Sequence, residues 1–300
     1  MNKKEKLLIT GASGFTGYHA CQHFSKLDFD ITAIAHKNDF YDERINWRKC
    51  DFSDKEAVKA LIKKIKPDYV LHLAGQNAVS CSWEDPIRSL EVNSMATAYL
   101  LEALRLESPT CKTVIVGSAL QFDPTSISTF NHPYGLSKTM QFIISQFWAN
   151  LYNMHIVVAK PSNLIGPGFS KGVCSIFAQK IVQMEKKKEE KKIEVSNLNN
   201  RIDFLDVRDA VRAYDFLFLK GKSGKVYEVS SGKSHSLGQV LKIFREMTAI
   251  NFHIEVLQEN HLSNHINTIP LSLIELGWEP TYSIESTLKD VLHFYRKSMD

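Results

Sequence analysis

The stretch Leu7-Leu8-Ile9-Thr10-Gly11-Ala12-Ser13-Gly14-Phe15-Thr16-Gly17 decides the fold. Apolar and β-favouring residues run into a loop with glycine at positions 11, 14 and 17, and a helix-length segment follows. Glycine is needed there for three reasons: a tight turn, close approach of backbone to a pyrophosphate, and close packing of helix on strand. Free N–H groups at the helix start then favour phosphates. Three glycines alone are a weak signal. The strand before and the helix after make this loop a candidate dinucleotide site, with Ser13, Phe15 and Thr16 among its contacts.

Outward from the loop, short apolar strands alternate with helical patterns. Leu7–Thr10, Ile31–Ala35, Trp47–Cys50, Tyr69–Ala74, Thr113–Gly117 and His155–Ala159 read as strands. Lys55–Ile65, Ile87–Leu106 and Ser137–Leu151 read as helices. This alternation predicts an α/β fold, a Rossmann-type doubly wound parallel sheet with right-handed crossovers. The rhythm weakens after Pro161. A helix at Ile176–Glu185 runs into the charged block Lys186–Lys192, read as a solvated helix end and loop. Val226–Val229 reads as a strand, Leu237–Met247 as a helix, and Ser283–Arg296 as an amphipathic tail. The expected organisation is a dinucleotide-binding domain over 1–162 and a smaller C-terminal substrate-binding lobe over 163–300, with some segments returning to the first domain.

Composition agrees with a globular enzyme. The 300 residues are 44% hydrophobic and 23% charged, enough for a large core without disulfide or metal staples. Net charge is +4 with both signs interspersed, which argues against a nucleic-acid partner. The five cysteines, Cys21, Cys50, Cys81, Cys111 and Cys174, form no C-x-x-C pair, so neither a disulfide framework nor a metal site is expected. No segment approaches the roughly 18 apolar residues of a membrane span. The N-terminus reads as a strand entering a loop, not a signal peptide. A reduced, cytoplasmic protein is expected.

The second strand ends at Ala35-His36-Lys37. Sites that prefer NAD usually place an acid there for the ribose 2′-hydroxyl. Two potentially cationic groups in its place favour the 2′-phosphate of NADP(H), with NAD(H) as the alternative. Asp51-Phe52 after the third strand suits an adenine contact or a turn. Tyr134 and Lys138 stand four residues apart, on one face of a helix. An ammonium beside a phenol stabilises the phenolate, which makes tyrosine a general acid or base near neutrality. Ser118 ends an intervening strand.

Together these residues resemble the extended short-chain dehydrogenases/reductases, the family of sugar-nucleotide epimerases, dehydratases and reductases. The resemblance covers nearly the whole chain. It rests on the glycine loop, His72-Leu73-Ala74-Gly75, Val92-Asn93 and Pro133-Tyr134-Gly135-Leu136-Ser137-Lys138. Downstream it continues through Asn163-Leu164-Ile165-Gly166-Pro167, Asp203-Phe204-Leu205-Asp206-Val207-Arg208-Asp209 and Leu276-Gly277-Trp278-Glu279-Pro280. The resemblance implies that Ser118 hydrogen-bonds a substrate oxygen and that Tyr134 transfers its proton, with Lys138 at the nicotinamide ribose. Gly11, Gly14 and Gly17 would cradle the pyrophosphate. Leu73, Ala74, Gly75, Asn93 and Pro161 would complete the cofactor contacts. Ser80, Ser82, Asn163 and Arg201 would meet the sugar nucleotide. Ile87–Leu106 and Ser137–Leu151 would build a four-helix homodimer interface.

Within the family, 4,6-dehydratases follow the catalytic Ser or Thr with acidic or hydroxyl partners. Here Ser118 is followed by Ala119 and Leu120, which carry no transferable proton. Phe177–Asp209, with Asn163–Gly168 before it, is similar to the GDP-4-keto-6-deoxymannose reductases. The implied reaction is NADPH-dependent reduction of a 4-keto-6-deoxy sugar nucleotide. A 4-epimerase with tightly held NAD and a non-catalytic cofactor-binding regulator are the alternatives. Three departures bear on the substrate: Ile202 stands where the family has Arg, Gln258-Glu259 replaces an Arg-Pro pair, and Lys160 replaces an Arg. Lysine and glutamine do not reproduce bidentate phosphate recognition by arginine.

Overall fold

The structure, a computed structural model, describes residues 4–35, 42–125, 131–187, 191–257 and 268–299. It resolves into two compact units. The first takes the chain up to Pro161 together with Val211–Tyr227, and the second takes Ser162–Ala210 and everything from Glu228 onward.

In the first unit the chain runs β1 (Glu5–Thr10), α1 (Phe15–Phe24), β2 (Phe29–Ile34), β3 (Ile45–Arg48), α2 (Lys55–Ile65) and β4 (Tyr69–His72). It continues through α3 (Val79–Glu84), α4 (Pro86–Leu90), α5 (Ala96–Glu107), β5 (Lys112–Val116), α6 (Pro133–Leu151) and β6 (Ile156–Pro161). Then follow β7 (Asn163–Ile165), α7 (Val173–Glu185), β8 (Lys192–Val195), β9 (Arg201–Asp206), α8 (Val207–Lys220) and β10 (Val226–Val229). The chain closes with β11 (Ser234–Ser236), α9 (Leu237–Glu246), β12 (His253–Val256), α10 (Leu271–Leu276) and α11 (Ile284–Ser298).

The main sheet has seven strands in the order β10-β6-β5-β4-β1-β2-β3. The pairs from β6 across to β3 are parallel, with Leu8 opposite Thr32 on one side and Val70 on the other. This is the expected doubly wound sheet, in which the order reverses beside β1. All four residues of β4 are buried, as parallel strands are when both faces are covered. One face packs Leu8, Val70, Ile115 and Val158 against Val58 and Ile62 of α2 and Leu100 and Leu104 of α5. The alternate side chains Phe29 and Tyr69 meet Phe24 of α1 and Phe218 of α8, edge to face at 5.3–6.0 Å. Asp54 caps α2 by accepting from the N–H groups of Glu56 and Ala57.

Two elements differ from the sequence reading. The third strand lies two residues early, at Ile45–Arg48, because Ile45 rather than Trp47 pairs with Ile31. The expected helix Ile87–Leu106 is interrupted by a π turn at Glu91–Met95. That wider turn carries Asn93, whose side chain bonds the backbone of Gln76.

The second unit has a three-stranded sheet, β11-β9-β7, and a parallel pair, β12 and β8. Its core joins Phe177 and Ile181 of α7, Val240 and Phe244 of α9, and Leu288, Val291 and Tyr295 of α11. The charged block is only partly loop: α7 ends at Glu185, and Lys192 already belongs to β8. The Asp203–Asp209 motif is a staple for this unit. Asp206 accepts from Arg208 at 2.6 Å and from the Thr287 hydroxyl at 2.7 Å. Asp209 accepts from the N–H groups of Thr281 and Tyr282 at 2.8 and 2.9 Å. Among the described residues, no helix is long and apolar enough to cross a membrane.

Candidate active site

The glycine loop leaves β1 at its C-terminal end and opens α1. Gly11 has φ +65°, and a Cβ on it would lie 2.8 Å from Ala74 N. Both facts restrict the position to glycine. A Cβ on Gly17 would run into the Gly11 carbonyl and approach Ala12 Cα to 2.6 Å. Gly14 N–H turns back to Gly11 O at 3.0 Å, and Ala12 N–H ties the loop to Ile34 O of β2 at 2.9 Å. The half-buried Phe15 and Thr16 form the first turn of α1, and half-buried Ser13 precedes them. The result is a bare backbone cradle with a helix N-terminus facing it.

Three segments converge around Tyr134 and Lys138. His132 caps α6, accepting from Gly135 N–H through Nδ1 at 2.8 Å. Tyr134 N–H donates to the Ser82 hydroxyl at 3.0 Å, and Ser82 donates onward to Val79 O. The Ser118 hydroxyl meets the Tyr134 phenol and also accepts from Leu120 N–H at 3.1 Å. Gln121 Oε1 receives Ser118 N–H at 2.9 Å, which fixes the turn after β5. Burial holds the Tyr134 phenol above its ordinary range, and the Ser118 contact opposes that only in part. The sequence reading expected Lys138 to draw Tyr134 down. Desolvation of the buried phenol acts in the opposite direction.

Lys138 Nζ donates to Val116 O at 3.1 Å and to Gln141 Oε1 at 2.9 Å. It is 6% exposed, and desolvation pushes it down to about 8. Asn93 accepts from Gln76 N–H at 2.8 Å and donates to Ser137 Oγ at 2.8 Å. A Cβ on Gly75 would lie 2.5 Å from Asn93 Oδ1 and 3.7 Å from Lys138 Nζ, so glycine keeps the lysine close to the β4 loop. Thr10, His72, Thr97 and Gln141 are buried beside this group, and the sequence reading missed all four as site residues. A buried polar stripe on a helix gives no local signal of its own.

The remaining expected residues fall as follows. Leu73 and Ala74 donate their N–H groups to Thr10 Oγ1 at 3.1 and 3.0 Å. Pro161, buried at the end of β6, accepts Ala119 N–H at 3.0 Å. Asp51 is exposed and accepts from Ser53, while Phe52 is buried against the His72 ring at 5.8 Å in the core. Ser80 is exposed, whereas Ser82 is fully buried with its hydroxyl engaged as above. Asn163 and Arg201 are exposed residues of the second unit, on β7 and β9, and Arg201 donates to Ser234 Oγ at 3.0 Å. His36, Lys37, Gln258 and Glu259 lie outside the described residues. No group of three or more metal-ligating side chains occurs among the described residues.

A strand-loop-helix cradle and a Ser/Tyr/Lys cluster on one parallel sheet define a dinucleotide-dependent enzyme fold. The chain belongs to the NAD dependent epimerase/dehydratase family, whose profile matches residues 7–230. It is 25% identical to GDP-6-deoxy-D-mannose reductase of Pseudomonas aeruginosa, over 96% of each chain. It is also 25% identical to human dTDP-D-glucose 4,6-dehydratase, covering 98% of this chain and 91% of that one. In three dimensions it superposes on RMD from Pseudomonas aeruginosa complexed with NADPH at TM-score 0.84. That match covers 98% of this chain and all of the other at 24% identity, and it shows the shared fold.

Proposed function

We propose that the chain reduces the C4 carbonyl of a 4-keto-6-deoxy sugar carried on a nucleoside diphosphate, with NADPH as reductant. The observation that carries this reading is the Ser118 side chain beside the buried Tyr134 phenol, in the same unit as the Gly11–Gly17 cradle. A nicotinamide dinucleotide fits the residues present. The Gly11–Gly17 cradle is open where any side chain would fill it, and Lys138 keeps one N–H beyond its two protein acceptors. Bound there, NADPH would supply the hydride.

The protein's own groups perform the acid chemistry. Tyr134 gives its phenolic proton to the oxygen at C4 as charge develops there. Ser118 donates a hydrogen bond to that same oxygen. Lys138 stabilises the phenolate left behind and offers its remaining N–H to a ribose hydroxyl. Ala119 and Leu120, exposed after Ser118, contain no group that could move a proton for water elimination. This supports reduction over the reaction named for the dehydratase relative. His36 and Lys37 are assigned to the 2′-phosphate. Ser80, Asn163 and Arg201 are assigned to the sugar nucleotide, and the second unit serves as the substrate lobe.

The apolar side chains Met140, Ile143, Phe147 and Leu151 stand exposed on α6, with Leu106 exposed on α5. Their spacing marks a helix face, and we assign that face to a homodimer contact.

The test is NADPH oxidation against a panel of 4-keto-6-deoxy sugar nucleotides, repeated with NADH. NADPH consumption with one member supports the reading and identifies base and sugar. No consumption, with NAD carried through purification and interconversion of C4 epimers, replaces it with an epimerase.

A further inference from the structure

Beneath the reactive face of α6 runs a chain of buried hydrogen bonds, of which only the last member belongs to the Tyr/Lys pair. Thr10 Oγ1 and His72 Nδ1 are 2.8 Å apart, and His72 Nε2 and Thr97 Oγ1 are 3.0 Å apart. Gln141 Nε2 donates to Thr97 Oγ1 at 2.9 Å, and Lys138 Nζ donates to Gln141 Oε1 at 2.9 Å. Every residue in this chain is buried.

The direction of each bond follows from the donor inventory. An ammonium only donates, so the Gln141 atom facing Lys138 is the carbonyl. Its amide then faces Thr97, whose own proton goes to Asn93 O at 2.8 Å. Thr97 Oγ1 therefore accepts from His72 as well, and His72 is the Nε2–H tautomer. Thr10 Oγ1 already accepts from Leu73 and Ala74, so it donates to His72 Nδ1. Each link has a donor and an acceptor and, apart from Lys138, which keeps one further N–H, the network is uncharged. A buried ammonium requires such acceptors. The titratable groups around it are Tyr134, on the same buried face of α6, and neutral His72 on β4. Among the described residues, α5 contributes the Thr97 link and β5 the Val116 carbonyl.

We propose that Gln141 is a positioning residue that holds the Lys138 ammonium against the Val116 carbonyl and, through Thr97 and His72, locks it to Thr10 at the mouth of the glycine loop. The lysine and the loop are then set by one chain of bonds rather than independently. Because Gln141 is neutral, it locates the charge without cancelling it, and the field of Lys138 stays available to Tyr134. This rests on the reading of Lys138 as the partner of Tyr134.

The experiment is NMR titration of ¹³Cε-labelled lysines in the purified full chain, with Lys138→Met identifying the resonance. Gln141→Leu removes the acceptor and is expected to move the Lys138 midpoint down by about one pH unit. Gln141→Glu restores an acceptor and is expected to move it up. In parallel, kcat for the carbonyl substrate should fall about tenfold in Gln141→Leu and its alkaline limb should move with the lysine. If Gln141→Leu does not fold, Thr97→Val cuts the same chain one bond away and is expected to shift Lys138 in the same direction. A Lys138 midpoint unchanged in the folded variants overturns the proposal. A wild type that reduces no carbonyl overturns the reading of function instead, and the lysine titration still decides the role of Gln141.

Discussion

The Ser82 hydroxyl accepts the backbone N–H of Tyr134 at 3.0 Å, joining residues 52 positions apart. The serine expected at the sugar nucleotide is thus tied to the backbone of the proposed general acid. The same hydroxyl donates its proton to Val79 O at 2.6 Å, so its one donor is used inside the protein.

Ser82→Ala leaves the Tyr134 N–H buried without an acceptor. The expected loss is about 1–3 kcal/mol of stability, read by urea denaturation. Turnover should drop along with it, because the start of α6 is no longer held. An unchanged denaturation midpoint would mean that water replaces the serine.

Tyr134→Phe removes the proton donor and leaves the glycine cradle and Lys138 in place. Turnover should fall by roughly 10²–10⁴-fold while NADPH binding, followed by its fluorescence, is retained. Wild-type turnover in this variant would remove Tyr134 from the acid step.

His72 makes the fold acid-sensitive. Burial, reinforced by the charge of Lys138, pushes its imidazole down from 6.5 to about 3. Below pH 6.5 the unfolded chain takes up a proton that the folded chain refuses, so stability falls as pH drops through that window. Between pH 7 and pH 5 the loss from this residue is about 2 kcal/mol. Urea unfolding of the wild type and of His72→Gln at both pH values measures it. Equal pH dependence in the two proteins would contradict the assignment.

Phe147→Asp places a charge at the centre of the exposed face of α6, where Phe147 is 51% exposed. Sedimentation velocity should show a dimer in the wild type and a monomer in the variant. A wild type that remains monomeric at high concentration rejects the interface.

The parallel sheet was legible because its signals are local. Short apolar runs separated by helix-length segments identified the strands from β1 to β6, with β3 misplaced by two residues. Val226–Val229, the other edge of the main sheet, was legible too, but the strands of the second unit were not. β7 and β11 are three residues long, and β8 is four residues that begin at the last residue of the charged block, so none has room for a periodic pattern. The break in Ile87–Leu106 was hidden for another reason. Nothing in Glu91–Met95 forbids an α-helix, and the π turn exists because Asn93 finds the backbone of Gln76, 17 residues away.

The sequence by itself determined that Tyr134 and Lys138 share a helix face and that Gly11 begins a tight glycine turn between strand and helix. Both follow from spacing within a few residues of chain, through the 3.6-residue helical period and the steric demands of a tight turn. Only the tertiary structure decided which face of α6 is inside. Tyr134, Ser137, Lys138, Gln141 and Ser145 are buried, while Met140, Ile143, Phe147 and Leu151 are exposed. A pattern read alone would put the apolar stripe in the core. The polar stripe can be buried because Thr97, Asn93 and Val116 supply its hydrogen-bond partners from other elements, and periodicity along one helix contains no information about those partners.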